Sequence, residues 1–327
     1  MNTRASAGRI ETHDVEELQR AVEPWELALR QISAGKLHTR MDYVQINGIL
    51  LYRDRWSRRI LATGATPSGY FFFGGPTSPK LEASWCGIEL SPKCLAFGRP
   101  SSEVDFATPE VEEHICLLVP VHLMLRYLGE ETAMRVLPDA RVLSCATACG
   151  TQLLKMMERI LDKYLVYRDL LADERACQAI EWQLMGAMVE FLLFRRDPGD
   201  VACASRAARH SLVRRAIEIC EAASAPISVS DLATACSVSK RVLELGFQET
   251  VRSTPSRFIR QSRMNRVRRE LSVSDPASDR VTDVLSRFGV SELGRFAVEY
   301  KSLFGESPSV TLRRGIAFPD RPLADGL

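Results

Sequence analysis

Histidine and cysteine are the residues of this chain best suited to metal binding or nucleophilic catalysis, and their spacing favours neither. The five histidines form no His-x-His pair and no facial-triad spacing. The nine cysteines are odd in number and include no Cys-x-x-Cys pair, which is typical of free thiols in a reducing compartment. Nucleophile-elbow, Walker and Gly-x-Gly-x-x-Gly motifs are also absent from the sequence. We therefore expect no enzymatic activity, no metal and no cofactor.

Serine, lysine and arginine residues between positions 227 and 250 lie in a pattern typical of two short helices joined by a turn. Ser228, followed by Asp231 three residues later, predicts a capping box at the start of the first helix. A tight turn is predicted at 237–239, where Ser239 is placed to cap the second helix. The inner faces of the two helices are predicted to contain Leu232, Ala233, Cys236, Leu243 and Phe247. Together these features describe a helix-turn-helix.

A single motif of this kind is more often an ordinary helical hairpin, but here the layout recurs 52 to 53 residues further along the chain. The second copy has one additional residue between its turn and the core of its second helix. The equivalent pairs are Leu232 and Val284, Ala233 and Leu285, Ser237 and Gly289, Leu243 and Phe296, Phe247 and Tyr300, and Pro255 and Pro308. The repetition favours two helix-turn-helix motifs over two unrelated hairpins.

A strongly helical stretch, residues 255–271, lies between the two copies. Its predicted buried residues are Phe258, Ile259, Val267 and Leu271, and the arginines around it are Arg257, Arg260, Arg263, Arg266, Arg268 and Arg269. Because one turn of B-DNA rises about 34 Å, a rigid helix of this kind could hold two recognition helices in successive major grooves.

The net charge of +2 conceals an uneven distribution along the chain. Residues 206–314 contain 19 Lys and Arg against 12 Asp and Glu, whereas the remainder contains 24 against 29. A basic C-terminal region joined to an acidic partner fits a nucleic-acid-binding module attached to a second domain. The 327 residues are long enough for two packed domains.

The segment at about residues 205–315 resembles AraC-type bacterial transcription regulators. The resemblance rests on SVSKRVL in the first copy, RMNRVRREL in the connecting helix and GRFAVEYKSLFGESPSVTLRR at the end. The segment LGRFAVEYKSLFGESPS is most similar to the subgroup that includes the ethanolamine-utilisation regulator. The resemblance implies binding to double-stranded promoter DNA, usually activation through contact with RNA polymerase, and an N-terminal barrel that binds a small effector or mediates dimerisation.

Carried over to matching positions, the resemblance implies DNA contacts by residues of both recognition helices: Ser239, Lys240, Arg241, Glu244 and Leu245 in the first, and Glu292, Leu293, Gly294 and Arg295 in the second. Arg241 would pair bidentately with guanine, a contact worth about 1–3 kcal/mol of discrimination, and Glu244 would accept from a cytosine amino group. Arg295 is the strongest candidate in the second helix. Phosphate contacts would come from Ser239 and Lys240, with Arg263 and Lys301 as further candidates.

Three positions depart from the family pattern. Leu285 replaces an alanine of the second motif, Val290 replaces a phenylalanine, and Arg252 replaces the glycine that often ends the first recognition helix. A non-glycine residue in left-handed geometry costs roughly 1 kcal/mol, and leucine at a close helix crossing would push the helices apart. We therefore expect the second motif to read fewer bases than the first.

These observations predict an α+β fold with a small N-terminal β-barrel or sandwich, flanking helices and an all-α double helix-turn-helix domain. The segments are a polar lead-in at 1–40, an effector-binding and dimerisation domain at 41–196, a linker at 197–208, the DNA-binding domain at 209–315 and a tail at 316–327. Two amphipathic helices within 151–194 either close the barrel or form a subunit interface. Ligand-pocket candidates are Tyr70, Phe72 and Trp85.

The functional prediction is a sequence-specific transcription regulator, more often an activator in this family, acting as a homodimer. A polar N-terminus and the absence of a long apolar run predict a soluble cytoplasmic protein without a membrane partner. Two alternatives stay open. One is a dimerising interaction module, or anti-activator, with impaired DNA reading because of Leu285 and Arg252. The other is a metal-dependent barrel enzyme, for which only His114 and His122 lie at the end of the barrel segment.

Overall fold

The computed structural model describes residues 5–22, 25–77, 83–91, 94–110, 112–137, 141–194, 204–223 and 225–315. Within these ranges, an N-terminal half of two β-sheets with flanking helices precedes a C-terminal half built from helices alone. The predicted α+β class, with its barrel or sandwich followed by an all-α region, is confirmed.

The strands of the N-terminal half belong to two antiparallel sheets. A seven-stranded sheet has the order β1-β3-β4-β11-β6-β9-β12, and a five-stranded sheet has the order β2-β5-β10-β7-β8. The strands are β1 (Ser6–Thr12), β2 (Glu26–Gln31), β3 (Thr39–Ile46), β4 (Ile49–Trp56), β5 (Ile60–Ala65), β6 (Tyr70–Pro76), β7 (Ser84–Trp85), β8 (Ile88–Glu89), β9 (Cys94–Gly98), β10 (Glu103–Ala107), β11 (Glu112–Pro120) and β12 (Val142–Ser144).

Strand β4 shows why the centre of the larger sheet is apolar on both faces. Leu50, Tyr52 and Trp56 alternate along it and pack into the core between the two sheets. Ile49 and Leu51 point the other way and join a second core, on the outer face of the sheet. The first half of β4, residues 49–52, is buried on both faces and is therefore a continuous apolar run.

Helices cover that outer face. The helices of this half are α1 (Val15–Ala21), α2 (Val121–Leu128), α3 (Glu130–Val136), α4 (Ala148–Val166) and α5 (Glu174–Phe194). The predicted apolar faces of α4 and α5 are confirmed, since Leu153, Met157, Leu184 and Phe191 are all buried against the seven-stranded sheet. The two helices therefore close one side of the sheet sandwich, which is one of the two roles predicted for them.

The spacing of Val15, Leu18 and Val22 predicts that the polar lead-in at 1–40 is partly helical, and the structure shows mainly strands there. Strand β1 pairs with β3 along its whole length, and β2 pairs with β5. Among the described residues of this segment only Val15–Ala21 is helical, where Asp14 caps α1 by accepting from the Glu16 N–H. Strand pairing over long sequence distances overrides the weak helical spacing of this segment, which the local pattern cannot register.

The C-terminal half is divided into two small cores, one for each predicted motif. Its helices are α6 (Ala204–Ala222), α7 (Val229–Ala235), α8 (Lys240–Thr250), α9 (Pro255–Val273), α10 (Val281–Arg287), α11 (Leu293–Phe304) and α12 (Pro308–Arg314). One core contains the inner residues of α6, α7 and α8, and the other contains those of α10, α11 and α12; α9 contributes to both. The predicted linker falls partly within α6 and otherwise outside the described residues, where the predicted tail also lies.

The edge strand β2 is hydrogen-bonded to the long helix α9. The side-chain amide of Asn265 accepts from the Gln31 backbone N–H at 3.1 Å and donates to the Gln31 carbonyl at 3.0 Å. The amide therefore pairs with the open edge of β2 as a neighbouring strand would. Gln31 also donates its side-chain amide to the carbonyl of Leu303 in α11, at 2.6 Å.

A buried ionic cluster lies beside this contact. Arg268 of α9 is 2% exposed, and it pairs with Asp14 at 2.6 Å, Glu16 at 3.1 Å and Glu306 at 2.8 Å. Arg314 of α12 also contacts Asp14. The sequence pattern predicts Arg268 on the exposed surface of the helix, and this is wrong because the N-terminal half covers that surface.

Candidate nucleic-acid interface

The first motif consists of α7, a turn and α8, and serine caps begin both helices. Ser228 Oγ accepts from the Asp231 N–H at 3.2 Å, and the Asp231 carboxylate accepts from the Ser228 N–H at 3.1 Å. This is the predicted capping box. Ser239 Oγ accepts from the Val242 N–H at 3.3 Å and caps α8. Both helices therefore begin where the sequence predicts.

The turn of each motif contains one residue with a left-handed backbone. Ser237 has a φ of 57° in the first turn, and Gly289 has a φ of 64° at the equivalent position of the second. In both turns the next residue donates its N–H to the preceding helix, over 3.0 Å in the first motif and 3.1 Å in the second. The repeat seen in the sequence is thus a repeat of backbone geometry, and only the second copy has the residue type that adopts this geometry without strain.

Leu285 is accommodated in the core of the second motif. It is 3% exposed and shares a cluster with Phe296 and Tyr300, and its counterpart Ala233 is also 3% exposed. Five residues, 288–292, separate α10 from α11, whereas four residues, 236–239, separate α7 from α8. The longer connection corresponds to the inserted residue that the sequence comparison predicts.

The C-terminal end of the first recognition helix is capped by the N-terminal half. Arg252 has the left-handed φ of 55° that its place in the family pattern predicts, and Gly305 has a φ of 77° at the equivalent position. Arg59, in the loop before β5, donates to the Val251 carbonyl at 2.8 Å and to the Arg252 carbonyl at 3.2 Å. Since the last carbonyls of a helix have no intrahelical partner, this guanidinium stabilises the end of α8 and attaches it to the sheets.

The predicted DNA-reading residues of α8 form one exposed surface. Lys240, Arg241, Glu244 and Leu245 are all exposed, and among the described residues no ion pair holds either basic side chain. Ser239 is exposed too, but its hydroxyl caps the helix. The first motif therefore presents two adjacent cations beside one carboxylate.

The corresponding surface of α11 is also exposed but is internally paired. Arg295 contacts Glu299 at 3.1 Å and Glu292 at 3.5 Å, and these carboxylates raise the pKa of the guanidinium. Leu293 and Gly294 complete the exposed first turn. A base that binds Arg295 must compete with two glutamates for the guanidinium. A base that binds Arg241 meets no such competition.

The two further candidates for phosphate contacts, Lys301 and Arg263, lie in or near the second motif. Lys301 is exposed on α11. Arg263 of α9 is half-buried, and it lines a groove with Arg260, Arg295 and Glu299. The groove therefore brings three arginines together beside the second recognition helix.

The N-terminal half holds the predicted ligand-pocket residues in different places. Phe72 and Trp85 line a cavity between the two sheets, with ring centroids 5.0 Å apart. Tyr70 lies outside this lining. Asp54, Trp56 and His114 also line the cavity but are missing from the sequence prediction. A sequence signal exists for Asp54 and Trp56 alone, because they continue the inward-facing alternation of Leu50 and Tyr52 along β4.

Histidines do not converge on a metal site in the described part of the chain. His114 lies 3.5 Å from Asp54, His210 lies 3.0 Å from Asp105, and His122 is exposed on α2. Among the described residues, no cluster of three or more His, Cys, Asp or Glu side chains could hold a metal ion. Within the same ranges, none of the helices combines the length and apolar character needed to cross a bilayer.

Comparison with known proteins finds a family model and curated relatives that match part of the chain. A family model described as a helix-turn-helix domain matches residues 232–314. The probable thc operon regulatory protein of Rhodococcus erythropolis is 44% identical over 103 residues, which are 31% of each chain. The XylDLEGF operon transcriptional activator 1 of Pseudomonas putida is 38% identical over 88 residues, which are 27% of each chain. The chain thus spans about three tenths of the length of these curated relatives.

A solved structure is also similar to part of the chain. The probable AraC family transcriptional regulator from Rhodopseudomonas palustris CGA009 is 34% identical, with a TM-score of 0.29, over 33% of this chain and 99% of that one. The match to the family model, together with the repeated turn geometry of the two motifs, identifies residues 232–314 as an AraC-type helix-turn-helix domain that is homologous to those of AraC-family regulators.

Proposed function

We propose that the chain is a sequence-specific DNA-binding transcription regulator, an activator whose N-terminal half responds to a small effector. The observation that carries this proposal is the pair of helix-turn-helix motifs, in which the left-handed turn residue and the exposed recognition surface recur. The relatives, an operon regulatory protein and an operon activator, support the same function.

The length of α9 supports binding to two successive major grooves. The helix has 19 residues, which corresponds to about 28 Å at the usual rise per residue. Successive major grooves on one face of B-DNA are about 34 Å apart, so a strut of this length together with the flanking motifs spans the required distance. Both recognition helices then contact one face of the duplex.

Within this arrangement the first motif supplies most of the base reading. Arg241 pairs with guanine and Glu244 accepts from cytosine, while Lys240, Lys301 and Arg263 contact phosphates. Arg295 reads a base only when it leaves Glu299, and Ser239 positions the helix through its cap. The two motifs are therefore expected to contribute unequally to specificity.

The remaining partners follow from the N-terminal half and from family resemblance. Exposed apolar side chains at Val166, Tyr167 and Trp182, on and beside α4 and α5, support a homodimer. RNA polymerase is the proposed target of activation, and the cytoplasm is the proposed location. The closing segment of the domain supports a likeness to the ethanolamine-utilisation regulators.

The experiment that tests the proposal is binding of the full chain to genomic fragments, followed by titration of the selected fragment at several salt concentrations. A regulator selects a small number of promoter fragments, and its affinity falls steeply with salt because phosphate contacts release counterions. A chain that binds no fragment at low salt would instead be the dimerising interaction module, and the proposal would be wrong.

A further inference from the structure

The cavity between the two sheets has mainly aromatic walls. Trp56, Phe72, Trp85 and Phe106 line it, with neighbouring ring centroids 5.0 to 6.2 Å apart. The enclosed volume is about 50 Å³. Such a cavity suits a flat apolar molecule, and at this volume the walls must move apart to admit a ring, since a cavity that holds benzene measures about 150 Å³.

Three buried polar atoms in the lining have no hydrogen-bond partner among the described residues. They are Asp54 Oδ1, Trp56 Nε1 and His114 Nδ1, on side chains whose residues are 3%, 6% and 8% exposed. Buried polar groups in folded proteins are almost always paired, so three orphans in one cavity indicate a missing partner. The cavity is therefore polar at one place and apolar elsewhere.

The three orphaned atoms belong to neighbouring side chains. His114 of β11 lies opposite Asp54 of β4, and the facing atoms His114 Nε2 and Asp54 Oδ2 are 3.5 Å apart. The rings of Trp56 and His114 meet edge to face, with centroids 5.4 Å apart. A single functional group of a bound molecule could therefore serve more than one of them.

The charges of the lining exclude a charged occupant. Burial raises the pKa of Asp54, and it opposes the hydrogen bond and charge of Asp54, which raise the pKa of His114. A carboxylate at Asp54 facing an imidazolium at His114, 3.5 Å away, forms a pair without net charge. Burial also raises the pKa of Tyr52 and of Cys116, which keeps both neutral. A charged ligand would have no counterion in this apolar space.

We propose that the cavity binds a small uncharged molecule consisting of an apolar ring and one hydroxyl or amide group. That group accepts a hydrogen bond from the indole N–H of Trp56 and donates one to the carboxyl group of Asp54, while the ring packs between Phe72 and Trp85. The inference rests on the proposed function of the N-terminal half as an effector domain, and it names the chemical class of the effector.

The position of β2 links occupancy of the cavity to the DNA-binding half. Leu27 and Leu29 of this edge strand line the cavity, and Gln31 at its end binds Asn265 of α9 and the Leu303 carbonyl of α11. An edge strand is paired on one side only, so it is the wall that moves most readily when a ring enters. A bound molecule therefore acts directly on the helix that separates the two motifs.

The test is calorimetric titration of the full chain, without DNA, using phenol, toluene and benzoate as probes. Phenol and toluene have nearly the same shape, so the ratio of their affinities measures the hydroxyl group. We expect phenol to bind about tenfold more tightly than toluene, because two hydrogen bonds to buried groups are gained, and benzoate to bind more weakly than either.

Two tryptophan variants provide a matched comparison. Trp56→Phe removes an unpartnered indole N–H and is expected to bring the phenol-to-toluene ratio close to one. Trp85→Phe removes an indole N–H that already donates to the Phe97 carbonyl at 3.3 Å, so it should weaken both probes alike and preserve the ratio. Circular dichroism of both variants verifies folding, and the wild-type ratio is decisive even if one variant fails to fold.

The outcomes separate this inference from the proposed function. Equal binding of phenol and toluene, tighter binding of benzoate, or no heat from any probe would overturn the assignment of ligand class. Binding of the same preparation to its selected DNA fragment is measured in parallel. If the chain binds DNA but does not prefer phenol to toluene, only the proposed ligand class is wrong. If it prefers phenol but binds no DNA fragment, the proposed function as a regulator is wrong.

Discussion

Arg241 and Lys240 are adjacent on α8, yet their chemistry predicts different roles at DNA. A guanidinium can donate two parallel hydrogen bonds to guanine, whereas an ammonium acts on phosphate mainly as a point charge. Arg241→Ala is expected to cost about 1–3 kcal/mol on the selected site and to relax base preference at one position. Lys240→Ala is expected to weaken binding to all sequences alike. It should also reduce the slope of the logarithm of the binding constant against the logarithm of salt concentration by about 1.

The measurement is titration of each variant against the selected fragment and a set of its single-base substitutions. Mutant and wild-type affinities are compared position by position at two salt concentrations. Uniform weakening by Arg241→Ala, together with altered base preference in Lys240→Ala, would mean that the roles of the two residues are reversed.

At Arg295 the same chemistry is restrained by neighbouring carboxylates. Glu299 holds the guanidinium at 3.1 Å on an exposed surface, so its release costs little energy but opposes every contact with DNA. Glu299→Gln is expected to strengthen DNA binding several-fold, because one competing charge is removed and Arg295 is released. Filter binding or fluorescence anisotropy with the selected fragment would measure the change.

A double-mutant cycle distinguishes release of Arg295 from a general loss of negative charge. In the Arg295→Ala background, Glu299→Gln should bring a smaller gain than in the wild type if the pair is what restrains binding. An undiminished gain would show that Glu299 repels the phosphates directly and that Arg295 takes no part.

At the scale of elements, the two motifs differ in the residue at their left-handed turn position. Ser237 and Gly289 have nearly equal φ values, but only glycine adopts them without a steric penalty. Ser237→Gly is expected to raise the free energy of unfolding by up to about 1 kcal/mol, partly offset by the greater freedom of glycine in the unfolded chain. Gly289→Ser should lower it by more, because the added Cβ would also lie 2.8 Å from the ring of Pro226.

Urea denaturation followed by circular dichroism would measure both changes. The exposed Ser230→Gly, within α7, is a suitable control because glycine there should destabilise the helix by about a few tenths of a kcal/mol. If Ser237→Gly destabilised the chain as Ser230→Gly does, the left-handed conformation of the first turn would carry no strain.

Local features of the C-terminal elements were predictable from the sequence because their causes are local. The capping box at Ser228, the cap at Ser239 and the left-handed Arg252 each depend on residues within a few positions, and all three are present. Strand β2 was missed because it is stabilised by pairing with β5 and by Asn265, which is 234 residues away from Gln31. The burial of Arg268 has the same origin in contacts across the whole chain.

The candidate site divides in the same way. The exposed residues of α8 follow from helical periodicity, so their common surface could be predicted. The orphaned group at Asp54, Trp56 and His114 requires the register between β4 and β11, which no local pattern contains. Long-range register is therefore what the sequence alone could not supply for the cavity.

At the scale of the whole molecule, the ionic cluster around Arg268 makes the contact between the two halves sensitive to pH. Burial raises the pKa of Asp14, but the hydrogen bond with Glu16 and the charges of Arg268 and Arg314 lower it. The lowering effects are larger together, and the pKa of Asp14 falls to about 2. Burial and the neighbouring Asp14 raise the pKa of Glu16 to about 8. At neutral pH the cluster therefore holds Glu16 in its protonated form.

Asp14 and Glu16 affect stability in opposite directions as pH changes. A group with a lowered folded pKa stabilises above its unfolded value, so the contribution of Asp14 is lost only as pH falls from about 4 toward 2. A group with a raised folded pKa stabilises below its unfolded value, so the contribution of Glu16 declines as pH rises from about 4.5 to 8. Between pH 5 and 8 the Glu16 contribution therefore dominates this pair.

Glu16→Gln is expected to flatten the loss of stability between pH 5 and 8, because glutamine retains the neutral hydrogen-bonding group and cannot ionise. In the wild type this residue should account for a decrease on the order of a few kcal/mol in the free energy of unfolding, measured by urea denaturation at both pH values. Glu218→Gln is the matched control, since Glu218 pairs with Arg214 on an exposed surface of α6. A Glu16→Gln variant that loses as much stability as the wild type across this range would place the titrating group elsewhere, and the contact between the halves would then be insensitive to neutral pH.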